Sequence, residues 1–108
     1  MRIFGRAPDF RNFEIPEELK DSEDIFNEVM FVVSRRFMNL EKVQRFLDSL
    51  FEENSVEKVS FILTHAIDAL ILAPRGSVIA EDLLVASIRS IENHDVQKAL
   101  AFGSQFLP

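Results

Sequence analysis

Between Val56 and Leu72 the sequence offers a helix almost no solvent face, and this stretch restricts the possible folds more than any other. Val56, Val59, Phe61, Ile62, Leu63, Ala66, Ile67, Ala69, Leu70, Ile71 and Leu72 spread around most of a helical wheel. A helix that is apolar nearly all round needs other helices to cover it. The expected fold is therefore all-α: a compact bundle of four to five helices around a central buried helix at about 55–73, with an extended N-terminal arm.

The flanking sequence supplies the covering helices. Ile25, Phe26, Val29, Met30, Val32, Val33 and Phe37 make the wide apolar face of a first helix, expected from Ser22 as N-cap to about Phe37. Asn39 is placed to cap a second helix, whose stripe is Leu40, Val43, Phe46, Leu47, Leu50 and Phe51. Asn54 followed by Glu57 reads as a capping-box-like start for the central helix. Ala73-Pro74-Arg75-Gly76 suits a type I turn, with Pro second and Gly fourth. A fourth helix follows from about Ser77 to Glu92, with Ile79, Leu83, Leu84, Ala86, Ile88 and Ile91 inward. Asp95 is placed to cap a short last helix, expected to bury Val96, Ala99, Leu100 and Phe102 and to stop at Gly103. The short connections set consecutive helices roughly antiparallel.

Residues 1–15 have no helical period, yet Ile3, Phe4, Phe10, Phe13 and Ile15 are large apolar anchors. Pro16 with Glu17 and Glu18 can open a short helical turn. The expected organisation is an arm over 1–21, packing on the body or on a partner chain, and a helical bundle domain over 22–108. A chain of 108 residues can bury a core without staples, and it contains no cysteine to form any. That also removes thiol catalysis and fits a reducing compartment. No run approaches the roughly 18 apolar residues of a membrane span. The first residues lack the apolar stretch of a signal peptide, so the expected location is cytoplasmic.

The net charge of -6 is concentrated in one segment. Glu14, Glu17, Glu18, Asp21, Glu23, Asp24 and Glu28 face only Lys20 within residues 14–28. Acids at a helix start favour the positive end of its dipole, but seven exceed that need. A basic partner would feel the surplus.

Chemistry is harder to find. His65 and Asp68 lie three apart on the central helix and share a face, which is half of an acid–base site. A local His–Asp hydrogen bond or ion pair is the stronger explanation of the spacing, and no third group joins them. His94-Asp95 falls at a helix junction, where capping is the ordinary explanation. Bundle di-metal centres need Glu-x-x-His, and the residues three before His65 and His94 are Ile62 and Ile91. Three scattered glycines cannot make a phosphate loop. A helix-turn-helix across Pro74–Gly76 would point Glu81 and Asp82 at phosphates, the wrong sign for a duplex. Arg35, Arg36, Lys42 and Arg45 sit beside the acidic stretch and read as a solvated, partly paired surface. Neither catalysis, a cofactor, a metal nor direct nucleic-acid binding is expected.

Apolar residues on polar faces carry the stronger signal. Phe31 falls among Asp24, Asn27, Glu28 and Arg35. Phe61, His65, Asp68 and Leu72 make one strip of the central helix, and Val85 sits among Glu81, Asp82, Arg89 and Glu92. Together with Phe4, Phe10 and Phe13 of the arm, these are the expected partner-binding residues. Cover can come from the arm, from the Phe106-Leu107 tail or from another chain, and two-fold homodimers are the commonest oligomers. The sequence thus points to a non-enzymatic protein–protein interaction module (adaptor, regulator or accessory subunit), expected as a homodimer. Two alternatives remain open. One is an acidic inhibitor or immunity-type protein masking a basic partner, and the other a bundle binding a small molecule near His65 or Asp68.

Overall fold

In the computed structural model, which describes residues 17–33 and 39–106, five α-helices follow a short 3-10 helix, Glu17–Ser22. They are α1 (Glu23–Val33), α2 (Leu40–Glu53), α3 (Val56–Leu72), α4 (Ser77–Glu92) and α5 (Val96–Ser104). The described residues contain no strand. None of their helices is long and apolar enough to cross a membrane. Residues 1–16, 34–38 and 107–108 lie outside the description. With them go most of the expected arm, Arg35 and Arg36 of the basic cluster, the expected end of the first helix at Phe37, and Leu107 of the tail.

The expected central helix is α3. Val59, Ile62, Leu63, Ala66, Ile67, Ala69 and Leu70 are buried along it, and α1, α2 and α4 pack around it. Its cover is incomplete, because Phe61, Ile71 and Leu72 are exposed. The helix α4 is an equal hub, touching α2, α3 and α5. Its inner face is built from small residues, Ala80, Ala86, Ser87 and Ser90, beside Leu83 and Ile91. Small side chains let neighbouring helices approach closely but give little apolar signal in a sequence. Leu19 is fully buried in the same core and fastens the 3-10 helix to the body.

Helix ends follow local chemistry, with some departures from expectation. Asn39 caps α2 by accepting from the Lys42 amide at 3.1 Å, and Asp95 caps α5 by accepting from the Lys98 amide at 3.1 Å. The cap of α3 is Ser55, which accepts from the Lys58 amide at 3.1 Å, and not Asn54. Asn54 instead closes α2, its side-chain amide donating to the Leu50 carbonyl at 3.1 Å. With Ser next to Asn, the residue in position to start the helix takes the capping role and its neighbour serves the preceding one.

The α3–α4 turn is also corrected. Gly76 donates to Ala73 O at 3.0 Å, closing a four-residue turn. Arg75 has φ 63°, the left-handed third position of a type II turn rather than type I. Glycine is needed at 76 for space. A Cβ there would stand 1.9 Å from the Leu70 carbonyl oxygen.

Three further expectations fail at helix edges. Leu40 at the start of α2 is exposed, as are Val96 and Leu100 on α5, whose buried residues are Ala99 and Phe102. A nine-residue helix lying across the edge of a bundle can bury only a narrow stripe. Gly103 does not end α5 but lies within it against Ile88, and Phe106 beyond it packs edge-on to Phe102 at 5.5 Å.

Candidate interaction surface

The outer side of α3 carries the strip expected from the sequence. Phe61 and Leu72 mark its ends, 42% and 82% exposed, with half-buried His65 and exposed Asp68 between them. The Phe61 and His65 rings meet edge-on at 4.7 Å, so the two side chains form one continuous surface. No hydrogen bond joins His65 to Asp68 within the chain, among the contacts of the described residues. The intrahelical pairing expected from their spacing is therefore not formed. Ile71, next to Leu72, is 53% exposed and widens the strip at its C-terminal end.

The other expected partner-binding residues divide between elements. Val85 lines an open groove of about 440 Å³ between α2 and α4, with Leu40, Glu41, Gln44, Asp82, Ala86 and Arg89. Phe31 is exposed on α1, the helix packed on α3. Phe4, Phe10 and Phe13, and the acidic Glu14, lie outside the described residues. Glu17, Glu18, Asp21, Glu23, Asp24 and Glu28 are all exposed, so the described part of the acidic face is a solvated surface.

Two polar features are not announced by the sequence pattern. Beneath the α2–α4 groove, Gln44 donates to Ser90 Oγ and to the Ala86 carbonyl, the latter at 3.2 Å. Ser90 in turn donates to Asp48 Oδ1 at 2.7 Å. This chain of bonds ties α2 to α4 across 42 residues of sequence. Gln44 and Asp48 are one turn apart on the flank of the α2 stripe, which hints at a shared role, but no local pattern points to Ser90. Three residues away, Ser87 Oγ is buried and without a hydrogen-bond partner. The second feature joins α3 to α5, where Lys98 Nζ donates to Glu57 Oε2. The hydrogen bond from Lys98 holds the Glu57 carboxyl below its ordinary pKa, and the same bond raises that of Lys98. This pair borders a second open groove of about 380 Å³, lined also by Val56, Ser60, Ala101, Phe102 and Gln105.

Chemically these surfaces present apolar side chains, a hydrogen-bonding imidazole and carboxylates. His94, the other histidine, lies with its ring 5.6 Å from that of Phe51. Among the described residues, no group of three or more His, Asp or Glu side chains is placed to hold a metal ion. Compared with protein-family models, with curated proteins and with solved structures, the chain matches none.

Proposed function

We propose that this chain is a non-enzymatic helical protein–protein interaction module, an adaptor, regulator or accessory subunit, working as a homodimer through its exposed helical surface. The observation that carries the reading is the strip on α3, where Phe61 and Leu72 are exposed on the outer face of a helix whose other face is buried in the core. Single exposed apolar residues are ordinary, but Phe61, Ile71 and Leu72 together on the outer face of one helix favour a protein partner. Sedimentation of the full chain tests it. The expected mass at about 0.1 mM is twice the 12.4 kDa of the chain, and Phe61→Ser with Leu72→Ser returns it to one with helicity unchanged. A wild-type monomer at that concentration refutes the homodimer.

A second reading has its own support in the exposed acids of the 3-10 helix and α1. In it the chain masks a basic partner, using Glu14 through Glu28 as an anionic decoy. Such a complex forms fast and weakens steeply with salt, whereas an apolar contact survives it. Titrating a basic model protein against the chain at low and high salt separates the two.

A further inference from the structure

The strip on α3 has a sequence symmetry that specifies its partner. Its members are spaced four, three and four residues apart, so Phe61 and Asp68 take d-type heptad positions and His65 and Leu72 take a-type positions. From either end it reads apolar, ionisable, ionisable, apolar, with the imidazole and the carboxylate exchanged by reversal. We propose that α3 pairs antiparallel with α3 of a second copy about a two-fold axis, setting Phe61 against the partner's Leu72 and His65 against the partner's Asp68. The proposal rests on the interaction-module reading above and specifies its contact.

Helix-pairing geometry and an unused polar pair support this occupant. An antiparallel pair brings a-type residues of one helix level with d-type residues of the other, and a two-fold axis repeats each contact. His65 and Asp68 make no hydrogen bond to each other in their own chain. Across the dyad each imidazole N–H reaches a carboxylate, and the two apolar pairs close the seam at both ends. The alternatives are worse matched. A parallel pair sets Asp68 against the partner's Asp68, and a slip of one heptad sets Asp68 against Leu72 or Phe61 against His65. A polar pair inside an apolar seam of this kind fixes register. Phe61 and Leu72 are about 17 Å apart along the helix, and a standard interface covers about 800 Å² on each partner. The seam alone is therefore small, Ile71 beside it adds apolar area, and the dimer is reversible and concentration-dependent.

Charge exchange tests this in the full chain. His65→Asp sets two acids against each other, and Asp68→Lys sets a base against the imidazole. Each variant alone is expected to lose dimer mass in sedimentation, with its dissociation constant raised at least about tenfold. Mixed in equal amounts, the two recover as a one-to-one heterodimer in native mass spectrometry. In that pairing the carboxylate introduced by H65D faces the ammonium introduced by D68K, and the native Asp68 of the first chain faces the native His65 of the second. His65→Lys, which still sets an N–H donor against the partner's Asp68, dimerises like the wild type and shows that position 65 tolerates a charged side chain. Variants that are both monomeric but do not recover on mixing overturn the antiparallel register. Variants that both keep the wild-type mass overturn this seam while leaving the interaction module standing. A monomeric wild type, the outcome if the N-terminal segment covers the strip, overturns both.

Discussion

Ser87 and Ser90 occupy the same helix, are both fully buried and differ in one respect, so replacing each with alanine should move stability in opposite directions. Ser90 accepts from Gln44 and donates to Asp48 at 2.7 Å. A hydrogen bond to a charged group contributes about 1.5–3 kcal/mol and a neutral one about 1 kcal/mol. Alanine's better helix propensity returns about 0.5 kcal/mol. Gln44 keeps its bond to the Ala86 carbonyl, and half-buried Asp48 regains some water, so the net loss for Ser90→Ala is about 2 kcal/mol. Ser87 Oγ has no partner, and an unpaired buried hydroxyl costs about 1–3 kcal/mol. Removing it leaves a void of one oxygen, which takes back part of that, so Ser87→Ala should gain about 1 kcal/mol. At about 4 °C per kcal/mol, the melting temperatures should differ by about 12 °C, with the wild type between them. Urea melts give the same ordering by midpoint with the slope unchanged. If Ser87→Ala destabilises as Ser90→Ala does, the reasoning from hydrogen-bond satisfaction fails for this core.

Gly76→Ala should lower stability by about 2 kcal/mol or more, because the new methyl meets the Leu70 carbonyl and only a backbone shift relieves it. A thermal melt checks it, and an unchanged midpoint refutes the close approach. The Glu57 carboxyl should titrate below an ordinary glutamate by carbon-detected NMR and rise toward the ordinary range in Lys98→Ala, where only its backbone hydrogen bond still lowers it. Its folded-state pKa is lowered, so its contribution to stability is present above the unfolded pKa and fades as pH falls through the folded one. Lys98 is raised, so its share is present below its unfolded pKa and fades as pH rises through the folded one. Both groups are exposed, and high salt should shrink both shifts.

The parts of the fold legible in the sequence are those written in local periodicity. The buried run of α3, the α2 stripe from Val43 to Phe51 and the Asn39 and Asp95 caps each depend on residues within one or two turns. What escapes depends on residues far apart or on ties between neighbours. Ser90 looks like any helix serine until α2 brings Gln44 and Asp48 to it. Ser55 and Asn54 are both good caps, and only the path of the chain decides between them. Leu40, Val96 and Leu100 fit an apolar period but lie where the bundle has no neighbour to cover them. For the candidate surface, spacing alone shows which residues share the α3 strip. That His65 packs on Phe61 while leaving Asp68 unbonded is a matter of rotamers, which spacing does not set.

In the proposed reading the same helix serves the core with one face and a partner with the other. Seven buried residues commit one face of α3 to the core, with α1, α2 and α4 packed on it. The outer face that remains also carries Glu57, Lys58 and Ile71, and helix geometry restricts residues in one row along it to spacings of three and four. If the strip binds as proposed, a packed helix presents it with few side chains left to order, so association needs fewer contacts to be favourable. A flexible segment presenting the same side chains would have to be ordered on binding. Core substitutions under the strip, such as Ile67→Ala, should therefore weaken association only as far as they unfold the chain, whereas changes at Leu72 should weaken it with stability nearly intact. Sedimentation and thermal melts run on the same two variants separate these outcomes, and an Ile67→Ala chain that stays folded yet fails to associate refutes the division of labour.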